Sequence, residues 1–546
     1  MRDTPVPTPR NCLIVNFARL GDLIQMSPAL VGLKKEHPAN RITLMTTTTF
    51  GEIAKLLPCV DELELVDLDW IIKKLSHDLV SFNEVKQVVE DLLSRMKDKK
   101  FGFSANLSSM GASAILIKYL NSPCLRGWTS DESGFRVLSS RWSRLLSTML
   151  SGINRFYNSF NVVDFFRFMC EAKIPTRSLS IKYNDQFTED AASLLKSFGG
   201  KVDSPFVVVH AGVSQMKRSW KAECFAKFSK ALIEKTGWQI VLTGSGNEAL
   251  LTKVLKEEIN HPNVIDLGDR TSLSQLIGII KLCKGILTGD TGPLHISAAL
   301  GKPSVSLFVA SGWPYETGPY FEGQIILRPK IICGPCSPNG FCSTLECHDL
   351  IDVNQLVELF INHVEAEFGR VEKIASEIQN CYVYQTTFDE FGIFNLKQLN
   401  NEYDRHKYMR KCYRYLILNE FENLGEIHTS TKFFDFESEK LFSLAKKGEE
   451  ICKLLINKLN SGSNELEESC SQLELLDDEI VELAHISETI GLLARLYMFE
   501  KESIVGDVFE LANLTLQNYT DLQNRILKLN WLIDRQEEKV PLHVVN

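Results

Sequence analysis

The sequence predicts an α/β protein of two doubly wound domains followed by an all-α stretch. Three observations carry that prediction. Apolar runs of strand length alternate with amphipathic segments from residue 11 to about 120. The same rhythm resumes near residue 205, after the polar stretch "IKYNDQFTED". Beyond about residue 365, glycine and strand-like runs thin out, and Glu, Lys, Leu and Asn recur at helical spacing. Strand–helix alternation marks a parallel sheet covered on both faces. Helical periodicity without strands marks an all-α region. The expected stretches are residues 1–180, 181–365 and 366–546.

The elements follow in order. "CLIVNF" reads as a buried strand, and "GDLIQMSPALVGLKKEHP" as a loop and helix that Ser27-Pro28 kinks or delays. "RITLMTT" and "ELELVD" are the next strands, and a charged helical region at 69–97 precedes "FGFSANLS". In the second half "FVVVHAG", "QIVLTGSG", "NVIDLG", "GILTGD" and "SVSLFVA" read as strands. Helices such as Cys224 to Lys235 and Ser274 to Leu282 fall between them. Two such halves suggest a crevice at the carboxyl ends of their strands.

Composition bounds the function. A chain of 546 residues exceeds one ordinary domain, and its 44% apolar and 24% charged residues are those of a globular protein. A net charge of -9 argues against a nucleic-acid partner. No signal-peptide pattern or membrane-length apolar run is evident, so the expected address is the cytoplasm. Fourteen cysteines in so long a chain are not a small disulfide framework.

The most informative stretch is "GDTGPLHISAALGKP". The strand "GILTGD" ends in Asp290. Thr291 or Asp290 can cap the coming helix, Pro293 suits its first turn, and Gly301 with Pro303 suits its end. The N–H groups of Thr291, Gly292 and Leu294, with the helix dipole, attract phosphate. A plain capped connector helix has the same local signature.

This stretch closely resembles the nucleotide-sugar motif of glycosyltransferase family 9, the heptosyltransferases. "NFARLGDLIQMSPALVGLKKEHP", "FGFSANLSSMGASAILIKYLNSPCLRGW", "VVVHAGVSQMKRSWKAECFAKFSKAL" and "IDLGDRTSLSQLIGII" resemble other family segments in the same order. The resemblance spans about residues 10 to 350 and leaves the helical tail uncovered. It implies a GT-B fold of two Rossmann-like domains, with the N-terminal one on the acceptor side. It implies inverting transfer from a nucleotide-diphosphate sugar, typically ADP-heptose, without a catalytic metal. Asp22 matches the family's proposed base, although an Asp there is also an ordinary helix cap. Lys217 and Arg218 match a phosphate-contacting Lys. The K-R-S-W pattern is one residue longer than the usual one and leaves both residues open. Thr243, Gly244 and Glu248 fall where the family lines the nucleotide. Asp290, Thr291, Gly292, Pro293 and His295 are expected to line the donor.

Cys333, Cys336, Cys342 and Cys347 are spaced C-x2-C-x5-C-x4-C in a turn-rich segment. Four thiolates can build a tetrahedral structural site for zinc or iron, and free thiols are the alternative. The resemblance implies that the metal is structural, since autotransporter heptosyltransferases carry an iron-binding finger at a comparable loop.

Arg136, Arg141, Arg144 and Arg155 interleave with Trp142, Leu145, Leu146 and Met149. Such a segment can lie at an anionic lipid surface or pack on a core. The expected partners are a nucleotide-sugar donor and a glycolipid or protein acceptor. Peripheral contact with the inner membrane and a homo-oligomer are further expectations. A non-catalytic scaffold acting through metal finger and tail is the rival reading. A dinucleotide oxidoreductase is disfavoured because no G-x-G-x-x-G follows the first strand.

Overall fold

A computed structural model describes residues 11–77, 81–150, 152–213, 215–246, 248–337, 340–463, 466–504 and 506–537. The chain divides into two compact units. Among the described residues, the first comprises those up to Leu125 and Phe160–Tyr403, and the second Arg126–Ser159 with those from Asp404 onward.

The first unit opens with strands β1 (Asn11–Val15), β2 (Arg41–Thr47), β3 (Glu62–Val66) and β4 (Phe103–Asn106). They are parallel and ordered β3-β2-β1-β4. The central β1 is buried from Cys12 to Val15, which is why it reads as an unbroken apolar run. The expected break after the first loop is present. Helix Leu20–Gln25 ends at Met26, and helix Ser27–Glu36 starts with Pro28 in its first turn.

Strands β5 (Leu125–Ser130) and β6 (Arg136–Leu138) form an antiparallel hairpin that leads into the second unit. The chain then returns to the first unit for β7 (Phe206–His210), β8 (Gln239–Leu242), β9 (Val264–Asp266), β10 (Ile286–Gly289), β11 (Ser304–Leu307) and β12 (Ile325–Pro329). These are parallel, in the order β12-β11-β10-β7-β8-β9. The order runs outward in both directions from the β10–β7 pair, so the switch point lies between them. The core behind it is aliphatic and aromatic, with Val207, Val209, Phe228, Leu287, Leu307 and Phe360 all buried.

Two strands occur where only helix was expected. β13 (Cys381–Phe388) and β14 (Phe394–Gln398) extend the second sheet, β13 antiparallel to β12 and β14 antiparallel to β13. "CYVYQTTF" is rich in aromatic and β-branched residues, and its burial against β12 outweighs the charged helical surroundings. The helical stretch therefore begins at Lys407, not at residue 366.

The second unit also differs from a simple C-terminal extension. Helices Lys407–Glu422, Phe436–Asn460, Glu467–Ile486, Gly491–Glu502 and Val508–Glu537 are joined by the inserted residues 126–159. Helix Arg141–Met149 packs among them. The Trp142 ring meets Phe421 edge-on at 5.4 Å, and its indole N–H donates to Glu422 at 2.7 Å. Arg141 donates to the Phe421 carbonyl at 3.0 Å. Leu145, Leu146, Met149 and Arg155 are buried, which decides for the core-packing reading of this segment.

Candidate active site

The carboxyl ends of β1, β7, β8 and β10 surround a cavity of about 450 Å3 within the first unit. Helix Leu20–Gln25 forms one wall and helix Gly292–Ala299 the facing one. Their approach is close. A Cβ added at Gly21 would lie 2.9 Å from the His295 ring, so glycine lets the two helices meet.

Asp22 stands in the first turn of its helix and lines the cavity. Its Oδ2 accepts the Arg19 backbone N–H at 3.2 Å, so the capping role and exposure to the cavity coexist. Burial pushes its carboxyl above the ordinary range, against the opposing pull of the Arg19 N–H, His295 and the Arg19 side chain.

Asp290 sits opposite, at the end of β10. Its Oδ2 accepts from Thr317 Oγ1 at 2.6 Å and pairs with Arg218, while its Oδ1 is 3.8 Å from His295 Nε2. Burial alone would raise this carboxyl. Arg218, His295 and Thr317 outweigh it and hold the group below the usual value. Thr291 is the N-cap by position, but neither its hydroxyl nor Asp290 caps the helix. The Thr291 hydroxyl lies 3.1 Å from that of Thr288. The Leu294 N–H is occupied by the Thr291 carbonyl at 3.1 Å, which leaves Thr291 and Gly292 as the donors heading the helix. Pro293 lines the cavity, and Gly301 ends the helix at a φ of +65°.

On the third side Thr243 and Gly244 follow β8, and Glu248 opens the next helix. Glu248 Oε2 accepts the Ser245 N–H at 3.0 Å and lies 4.0 Å from His210 Nε2. Burial lowers the His210 pKa, with Glu248 opposing. Its Nδ1 is 3.1 Å from the Thr243 hydroxyl. Ser272, with a capping box to Gln275, brings a second helix N-terminus to the cavity.

Three buried nitrogens among these lining residues have no partner: Gln25 Nε2, Arg218 Nε and His295 Nδ1. Buried polar groups are rarely left unpaired unless a ligand or water completes them.

Residues 89–341 match the model of glycosyltransferase family 9 (heptosyltransferase). That match covers just under half of the chain, and the aligned relatives are glycosyltransferases. The chain is 24% identical to lipopolysaccharide heptosyltransferase 2 of Salmonella typhimurium, over 58% of this chain and 87% of that protein. It is 23% identical to lipopolysaccharide heptosyltransferase 1 of Pseudomonas aeruginosa, over 59% of this chain and 85% of that protein. The crystal structure of the family 9 glycosyl transferase from Veillonella parvula shares the fold. Its TM-score is 0.50 at 18% identity, over 65% of this chain and 96% of that one.

Of the expected site residues, Asp22, Arg218, Thr243, Gly244, Glu248, Asp290, Thr291, Gly292, Pro293 and His295 all line the cavity. Lys217 does not. It turns outward and donates to the carbonyls of Ser337 and Gly340 at 2.8 and 2.6 Å. Gln25, His210, Ser272 and Thr317 line the cavity without having been singled out by sequence. Thr317 belongs to the "ETGPY" run that closes the family-like stretch, which is the one signal that marks it.

The cysteines occupy a separate segment. Cys333 is exposed, Cys336 and Cys342 are half-buried, and Cys347 is buried. They are neighbours: after burial, the other three thiols are the next influences that raise the Cys336 pKa. The donor types suit zinc or iron. Among the described residues, however, no three His, Cys, Asp or Glu side chains converge as a metal requires. Likewise among the described residues, no helix is long and apolar enough to cross a membrane.

Proposed function

We propose that this glycosyltransferase transfers heptose from ADP-heptose, with inversion, to a lipopolysaccharide-type glycolipid or a protein acceptor. The observation that carries the reading is the convergence of Asp22, Arg218 and the Asp290–His295 turn on one cavity. The names of the aligned relatives support the sugar and the glycolipid.

In this reaction the acceptor hydroxyl attacks the anomeric carbon as Asp22 takes its proton. The bond to the diphosphate oxygen breaks on the opposite face, which inverts the centre. The departing ADP gains negative charge. Arg218 and the N–H groups at the head of helix Gly292–Ala299 stabilise it without a catalytic metal. Asp290, itself held by Thr317, orients Arg218, and Thr243, Gly244 and Glu248 line the nucleotide side. Iron or zinc at the cysteines would be structural and would require the segment 333–347 to close around it. Metal analysis of the purified wild type and a Cys336→Ser variant checks this.

The central test is calorimetry with ADP, ADP-heptose, UDP- and GDP-sugars and NAD. Selective binding of ADP and ADP-heptose is expected, weakened about tenfold or more by Arg218→Met. Binding of UDP or GDP in their place would change the donor. Absence of binding by every ligand would favour the scaffold.

A further inference from the structure

The two basic residues that sequence leaves equivalent do different things. Arg218 reaches Asp290 inside the cavity, donating to both its carbonyl, at 3.2 Å, and its carboxylate. The neighbouring Lys217 spends two of its three N–H donors on the carbonyls of Ser337 and Gly340, in the cysteine segment. Three further contacts fasten the same two stretches. His348 Nε2 is 3.1 Å from the Lys217 carbonyl, the Trp220 indole N–H donates to the His348 carbonyl at 2.9 Å, and Lys221 pairs with Asp349. The loop that aims Arg218 at Asp290 is thus strapped along its outer side to the segment that carries the four thiols.

We propose that Lys217 is a positioning residue that couples the cysteine segment to the donor site: its ammonium holds that segment against the 216–221 loop, and the segment in turn sets how Arg218 meets the diphosphate. Coupling between two sites is reciprocal. A diphosphate that fixes Arg218 must therefore also quieten the cysteine segment. The nucleotide half of this inference rests on the donor reading above, and the thiol half does not.

The test uses the full chain as wild type, Lys217→Met, Lys217→Arg and Arg218→Met. Maleimide labelling rates of Cys333 and Cys342 are read by mass spectrometry with and without ADP, and ADP affinity by calorimetry. Lys217→Met is expected to label about tenfold faster, because two charge-assisted hydrogen bonds no longer restrain the segment. Its labelling is expected to lose the ADP protection seen in wild type, and its ADP affinity to fall about threefold. Lys217→Arg restores protection in part, and Arg218→Met labels like wild type in the absence of ADP. Wild-type labelling rates in Lys217→Met, or ADP protection that survives in it, would overturn the coupling. Unchanged labelling with a loss of ADP affinity equal to that of Arg218→Met would make Lys217 a phosphate ligand instead. Failure of wild type to bind ADP overturns the donor reading and the coupling with it, and leaves the strut itself to the labelling of Lys217→Met without ADP.

Discussion

At the scale of single residues, Asp22 and Asp290 show how two carboxyls in one cavity are set apart. Asp290 is paired with a cation and stays ionised. Asp22 is buried with its pKa raised, which makes its carboxylate a stronger base once formed. In the proposed reaction kcat/KM should fall as pH drops through that raised value, at a pH above the ordinary carboxylate range. Asp22→Asn should flatten this limb and lower kcat about 100- to 10,000-fold, read from steady-state rates between pH 5 and 9. The same shift has a stability sign. The folded pKa lies above the unfolded one, so this group favours folding below the unfolded value and loses that contribution as pH rises through the folded value. Asn can still accept the Arg19 N–H. Asp22→Asn is therefore expected to melt about 1–2 °C higher than wild type at pH 8, by scanning calorimetry.

At the scale of elements, the second unit is held by a buried charge cluster that joins three helices. Arg525, on helix Val508–Glu537, pairs with Glu420 on Lys407–Glu422 and with Glu500 on Gly491–Glu502. Its guanidinium is 4% exposed, while the Glu420 side chain is 26% exposed, so solvent screens one partner in part. Arg525→Met leaves two carboxylates facing a desolvated gap. It should destabilise the second unit by about 3 kcal/mol, at the low end for breaking a buried pair. Adding Glu500→Gln should recover part of that loss, read from denaturant midpoints of the two variants.

At the scale of the whole molecule, the second unit is assembled from two distant pieces of chain. Trp142 and Phe421 touch across 279 residues, and Arg410 and Arg414 donate to the carbonyls of Phe156 and Ser159. Truncation after Tyr403 would remove the partners of Trp142, Leu145, Leu146 and Met149 while leaving these residues in the chain. The truncated protein is expected to bind a hydrophobic dye and to aggregate at temperatures where the full chain stays clear, by light scattering. A truncated protein as clear and dye-free as wild type would show that the tail is a separable appendage.

What the sequence determined by itself was local or repeated. Strand and helix periods, the Pro293-to-Gly301 helix and the residues flanking each strand end follow from contacts a few positions apart, and the structure keeps them. Because carboxyl ends of parallel strands gather at a switch point, Asp22, Glu248 and Asp290 could be expected in one cavity before any coordinate was known. Tertiary structure decided the rest. β13 and β14 form because an open edge of the sheet buries them, against the helical bias of their neighbours. Residues 126–159 join the tail because its helices cover their apolar faces, a partnership that no short window contains. Lys217 and Arg218 differ only in the direction a single residue turns, which depends on which distant carbonyl or carboxylate stands within reach.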